Sequence, residues 1–306
     1  MSLLENEWFI QAPWGRICIM AWGSCNDPPV LLCHGAVDSA ATFRPLVKLL
    51  PKNFYYIGIE LPGSGKSDRF PPGLMMSVYD LVYSVEAVAK HFRWQSFVFI
   101  GHSMGAAIGK VYNVCYPGKL SKLVDLDSIN FYAIPPEEFP RWYEYHFINF
   151  FENYEKYNSA KGTAPLVKLE EAISMLKEKR GFTEELAIST LERWSEPAGD
   201  GFIRYTFDQR IRLVQIPPVS PEHVRCMYTA VTTPILNVLS QESLNKALFR
   251  NTAFLQDEGA YPARNLRIRI VPGDHDVHVV NPERLANFVS AFLLAGLDGL
   301  DSKAKL

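Results

Sequence analysis

Gly101-His102-Ser103-Met104-Gly105 follows the apolar run 97–100 and leads into the small-residue helical stretch 106–115. Between a strand and a helix, G-x-S-x-G describes a sharp turn that lifts a serine hydroxyl clear of the backbone. The turn forces the serine into a strained conformation, so the residues two places away on either side must lack side chains. Ser103 is thus a candidate nucleophile.

A serine hydroxyl needs a base to become reactive, and histidine is the usual one. The chain has seven histidines. His34 belongs to a His-Gly turn, His91 to a helical stretch, and His146 and His223 to the middle of the chain or its edge. His102 sits inside the elbow, with its side chain expected to point away from the hydroxyl. Gly273-Asp274-His275-Asp276-Val277-His278 remains, directly after the last apolar run, 266–271. Loops at the carboxyl ends of parallel strands are where such sites converge. His275, nearer the strand, is the expected base, and His278 is expected to pack before the helix that follows. A metal site built from Asp274, His275 and His278 is disfavoured because no partner cluster has recognisable ligand spacing; no metal is expected.

The acid that orients the base falls between nucleophile and histidine in chain order. Asp127, at the end of the run 120–126, and Glu242, just beyond the run 235–239, both qualify. Asp127 is favoured and Glu242 is the alternative; Asp125 shares a face with Asp127 but lies deeper. The developing oxyanion would take two backbone amides, those of Met104 and of Ala36 in His34-Gly35-Ala36-Val37-Asp38. Gly63-Ser64-Gly65-Lys66-Ser67 mimics the end of a phosphate-binding loop, but that pattern needs glycine at position 60, where Glu60 stands.

Short continuous apolar runs (30–33, 54–59, 97–100, 120–126, 235–239 and 266–271) alternate with helical stretches at 42–50, 78–92, 106–115 and 282–294. Strands of this kind, without polar alternation, belong to a parallel sheet covered on both faces. A leading strand pair is expected at 8–10 and 16–22, around Pro13-Trp14-Gly15. The rhythm breaks from 130 to 225, where aromatic-rich helical stretches replace it with no strong strand run. The reading is one α/β core, 1–129 with 226–306, interrupted by a helical cap, 130–225.

Composition narrows the function. With 31 Lys+Arg against 33 Asp+Glu among 306 residues, there is no basic stripe for nucleic acid. With 48% hydrophobic and 13% aromatic residues the chain is not disordered. No apolar run approaches the ~20 residues that span a bilayer. Five cysteines, odd in number and without CxxC spacing, do not form a disulfide framework. The acidic start, Met-Ser-Leu-Leu-Glu-Asn-Glu, is not expected to act as a signal peptide. An intracellular location follows, cytoplasmic or peroxisomal. The terminal Ala304-Lys305-Leu306 is similar to a peroxisomal import address, with the import receptor as partner; the other reading is a plain polar tail.

The stretches 13–15, 28–31 running into 34–38, 50–56, 101–105 and 272–278 resemble the α/β-hydrolase superfamily along nearly the whole chain, the animal serine hydrolase-like proteins most of all. The resemblance implies an α/β-hydrolase fold: a mostly parallel eight-stranded sheet with helices on both faces and an inserted helical cap. It also implies a Ser-His-acid triad and no cofactor. Many members carry a glycine and then an aspartate after the seventh strand, and residues 240–243 supply neither, which moves the acid to Asp127. The expected activity is hydrolysis of carboxylic esters or thioesters, those of hydrophobic acyl chains among them, through an acyl-enzyme on Ser103. The alternative is a small-molecule binding protein on the same fold.

Overall fold

A computed structural model describes residues 3–128, 133–159, 164–246 and 251–301. The terminal tripeptide 304–306 lies outside the described residues. Strands β1 (Glu5–Ala12), β2 (Gly15–Trp22), β3 (Pro29–Cys33), β4 (Tyr55–Ile59), β5 (Phe97–His102) and β6 (Leu120–Leu126) come first. The short strands β7 (Leu166–Lys168), β8 (Ser195–Pro197) and β9 (Phe202–Tyr205) follow, then β10 (Ile235–Ser240) and β11 (Leu266–Val271). Eight of them make one sheet in the order β1-β2-β4-β3-β5-β6-β10-β11. β1 and β2 form an antiparallel hairpin and β2 meets β4 antiparallel, whereas every pairing from β4 to β11 is parallel.

Alternate residues of the central strands feed two cores. Leu31, Cys33, Phe97 and Phe99 pack on one face, and Val30, Leu32, Val98 and Ile100 on the other. Both faces are therefore apolar, which is why these strands show continuous hydrophobic runs. Helix Val78–His91 starts at a capping box formed by Ser77 and Asp80. Helix Glu283–Ala295 starts directly after Pro282. The helix expected over 42–50 is instead a 3-10 turn, Ala40–Phe43, running into a single helical turn, Arg44–Val47. Pro45 has no N–H to continue an α-helical ladder.

Between β6 and β10 the described chain is mainly helical, with helices Leu169–Arg180 and Glu184–Trp194 the longest. It also holds a three-stranded antiparallel sheet of short strands, β7-β9-β8, in a stretch where the sequence shows no strong strand run. Strands of three or four residues are too short to show a period of two. Ala172, Leu176, Phe182, Ala187, Leu191, Trp194 and Ile203 form a small core of their own, which also takes in Val279 from beyond β11.

Candidate active site

Ser103 stands between β5 and helix Met104–Cys115 with φ 53° and ψ −118°. A non-glycine residue held there is strained by about 1–3 kcal/mol, so the surroundings must fix it. A side chain at Gly101 would run into Gly105 and Ala106, and one at Gly105 into the Cys33 and His34 carbonyls. Packing of β5, the helix and β3 thus demands both glycines. The Ser103 amide donates to the Leu126 carbonyl at 3.0 Å, and its hydroxyl does not cap the helix. It is left facing a cavity of about 280 Å³.

His275 lines the same cavity. Its Nδ1 lies 2.7 Å from Asp127 Oδ2, so Nδ1 donates to the carboxylate and Nε2 keeps the lone pair. No direct hydrogen bond joins His275 to the Ser103 hydroxyl; the two meet across the cavity. Catalytic hydrogen bonds often close only around a substrate. Asp127 is 1% exposed. It follows β6 with φ 45°, its amide donating to the Val238 carbonyl at 2.7 Å. Oδ1 accepts the Ser240 amide at 2.8 Å and Oδ2 also accepts the Ser243 hydroxyl at 2.6 Å. The carboxylate is thus saturated with donors on a rigid frame.

Glu242, the alternative acid, is not brought to His275. It lies in the first turn of helix Gln241–Asn245, its side chain 57% exposed and 4.0 Å from Lys246. Helix geometry turns it outward while Ser240 and Ser243 turn inward. Asp125 is buried two residues earlier on β6 against Lys110 at 2.7 Å. Burial raises its pKa and Lys110 partly offsets this.

Gly35 and Ala36 also line the cavity. A Cβ on Gly35 would sit 3.1 Å from His102 Nδ1 and 3.2 Å from the Ser103 Cβ, so glycine lets this loop approach the elbow. His34 anchors the loop from below: its Nε2 accepts the Leu61 amide at 3.1 Å and Nδ1 lies 2.8 Å from the Gly35 carbonyl. One nitrogen accepts and the other donates, which is a neutral imidazole. Burial pushes its pKa down to about 4. Met104 is the first residue of its helix, so its amide has no partner in the helical ladder. Ala36 and Met104 thus flank Ser103 from two segments.

Several residues around the cavity carry no signal in the sequence. Met175, Leu176, Lys179, Arg180 and Trp194 line it from the segment between β6 and β10, and Asp38 and Asp276 from the two loops below. Arg180 reaches both acids. His102 Nε2 sits 2.9 Å from the His275 carbonyl, so the elbow histidine faces the base loop and braces it.

His102, Asp276 and His278 are the one group among the described residues whose ligand atoms approach as a metal site would need, within 4.8 Å of one another. The donor set fits poorly. Both Asp276 oxygens are taken by Arg180, and the two imidazoles pack ring against ring at 3.9 Å instead of converging edge-on. Burial lowers the pKa of both histidines, so they pack as neutral rings.

The glycine-rich turn after β4 wraps a carboxylate of its own. Glu60 is fully buried, accepts the Lys66 amide at 2.6 Å and pairs with Arg193. A side chain at Gly65 would collide with that carboxylate. An internal acid fills the place a phosphate would take.

A family model described as the alpha/beta hydrolase fold matches residues 28–282. The chain belongs to the α/β-hydrolase family. Among curated relatives, human "Serine hydrolase-like protein 2" is 26% identical over 306 residues, covering 95% of this chain and 94% of the relative. Zebrafish (Danio rerio) "Serine hydrolase-like protein" is 27% identical, covering 96% and 90%. Among solved structures, a hypothetical protein from Pseudomonas aeruginosa PAO1 superposes with a TM-score of 0.80 at 22% identity, covering 96% of this chain and 100% of that one. The thioesterase domain of the curacin biosynthetic pathway gives 0.72 at 19% identity, covering 94% and 99%. These structural likenesses concern the fold. In this α/β-hydrolase no described helix is long and apolar enough to cross a membrane.

Proposed function

We propose that this chain is a serine hydrolase of carboxylic esters or thioesters. Ser103 attacks the acyl carbon while His275 Nε2 takes its proton; Asp127 holds the imidazole in the tautomer that makes Nε2 the base. The Ala36 and Met104 amides receive the oxyanion. His275 returns the proton to the departing alcohol or thiol, and water then repeats the attack on the acyl-enzyme to release the acid. The observation that carries this reading is His275 Nδ1 on Asp127 Oδ2 at 2.7 Å, with the ring in one cavity with Ser103. The names of the relatives agree with the reaction class.

In this reading the segment 130–225 is a cap over a core made of 1–129 and 226–306. Met175, Leu176 and Trp194 give the cavity an apolar roof. A volume of about 280 Å³ sits at the small end of ligand pockets. We assign it to a short or medium acyl chain, with the leaving group toward the opening. No cofactor takes part in the scheme.

A fluorophosphonate probe tests the proposal together with p-nitrophenyl esters from acetate to palmitate and the matching acyl-CoA thioesters. The expected result is labelling of the wild type, turnover of at least one medium-length substrate, and loss of both in Ser103→Ala. Wild type and Ser103→Ala equally unlabelled and inactive across the panel would overturn it, leaving a binding protein on the same fold.

A further inference from the structure

Arg180 is the last residue of helix Leu169–Arg180, and Gly181 in the left-handed region (φ 67°) ends the helix behind it. The guanidinium leaves the helix end toward the sheet and bridges two loops. One terminal nitrogen donates to Asp38 Oδ2 at 3.0 Å and also to Asp276 Oδ1, while Nε donates to Asp276 Oδ2 at 2.8 Å. Phe182 and Trp194 hold the planar group from their ring faces, at 4.6 and 5.5 Å. The two acids are placed with consequence. Asp38 is two residues past Ala36, and Asp276 is the residue after His275.

Both acids are buried, at 2% and 6% exposure, and would repel each other without the cation between them. Burial pushes Asp38 up to about 6 despite Arg180. Burial would raise Asp276 as well, but the Arg180 hydrogen bonds and charge more than offset it and leave it lowered. A forked, planar donor suits this task, since it can satisfy two carboxylates at fixed separation where an ammonium cannot.

We propose that Arg180 is a positioning residue: its guanidinium, delivered by the overlying helix, fixes the spacing between the Ala36 loop and the His275 loop. The oxyanion donor and the base then come into register only when that helix is docked. This rests on the serine-hydrolase reading above. A second arginine, itself buried, supplies the comparison. Arg193, from helix Glu184–Trp194, clasps Glu60 and Glu7 in the same manner, but neither acid lines the cavity. If such arginines only staple the upper segment to the sheet, the two should be equivalent for the reaction.

The experiment compares Arg180→Lys with Arg193→Lys in the full chain. It reads the second-order rate of fluorophosphonate labelling, kcat and KM on the best ester of the panel, and melting temperature. Arg180→Lys is expected to slow labelling and kcat by about 10- to 100-fold, the scale of a small misplacement of reacting groups, with KM within about threefold. Arg193→Lys is expected to melt earlier by a comparable amount yet to label within about threefold of wild type. Asp276→Asn, which loosens only the base loop and keeps a hydrogen-bond acceptor, is expected to slow labelling in the same direction if Arg180→Lys fails to fold.

Equal labelling of wild type and Arg180→Lys, or an equal loss in Arg193→Lys, overturns the positioning role while Ser103-dependent labelling of the wild type keeps the hydrolase reading intact. A wild type that does not label overturns both.

Discussion

Asp127→Asn separates the two acids that the sequence leaves in competition. The substitution keeps shape and volume at a site that is 1% exposed, so its effect is electronic. The Ser240 amide points at Oδ1 from 2.8 Å and cannot rotate. The asparagine must therefore keep its carbonyl oxygen there, which places its NH2 where Oδ2 stood. That position faces His275 Nδ1 at 2.7 Å and the Ser243 hydroxyl at 2.6 Å. The hydroxyl can turn its proton away; the imidazole can comply only by moving its proton to Nε2. Nε2 then has no lone pair to offer Ser103. A wrong tautomer of this kind lowers turnover by about 10⁴, about 5.4 kcal/mol of transition-state stabilisation. The assay is the rate of fluorophosphonate labelling with ester hydrolysis alongside, and a melting curve near the wild type's confirms that the site is built. Glu242→Gln is the control, expected within about twofold because that side chain is 57% exposed and pairs only loosely with Lys246. Asp127→Asn within tenfold of wild type, or Glu242→Gln more than tenfold slower, would refute the argument.

Acid should destabilise the fold through its buried imidazoles. His34, lowered to about 4, and His102, His146 and His278, also lowered, resist protonation in the fold while the unfolded chain protonates them below about 6.5. Asp38, raised to about 6, and Asp125, also raised, act in the opposite sense and offset part of this, two groups against four. The net is a loss of stability as the pH falls below about 6.5; urea midpoints at pH 7, 6 and 5 check it, and a flat series would contradict it. Met175→Trp, which narrows the cavity roof, should move the preferred acyl chain shorter, each excluded methylene lowering kcat/KM by about tenfold or more; an unchanged chain-length profile would place the acyl chain elsewhere.

What could be read before the structure was local, or repeated along the chain. The parallel sheet is legible because both faces of β3 and β5 are buried and every residue of those runs must be apolar. The elbow is legible because Gly101 and Gly105 answer to steric demands within a few residues of Ser103. The carboxylate beside His275 is legible only as one of two candidates, because β6 and β10 are neighbours whose ends lie side by side. The missing glycine and aspartate at 240–243 favour Asp127 in the sequence, whereas the positive φ of Asp127 and the outward turn of Glu242, which separate the two in the structure, leave no trace in residue type. Arg180 is harder still: its partners lie 142 and 96 residues away. An arginine at the end of a polar helix looks like any solvated side chain until Gly181 turns the chain and Trp194 packs beside it. The strands β7–β9 escape for a simpler reason, being no longer than two periods of alternation.

The serines at the end of β10, the seventh strand of the main sheet, are themselves part of the arrangement. Val238 of β10 stands opposite Leu126 of β6, so carboxylates placed just beyond the two strands would be only about one strand spacing apart, about 4.8 Å. Two buried acids that close cannot both stay ionised; one would be forced to take a proton. The site can therefore hold its acid on one strand or on the other, but not on both. With Asp127 on β6, the end of β10 must offer donors instead, and it does so through the Ser240 amide and the Ser243 hydroxyl. The Ser240 hydroxyl lies 2.9 Å from the Ser243 hydroxyl and caps the short helix that carries Glu242 outward. In the proposed reading the absence of glycine and aspartate at 240–243 and the presence of Asp127 belong together, the hydrogen bonds from Ser240 and Ser243 holding the carboxylate beside His275.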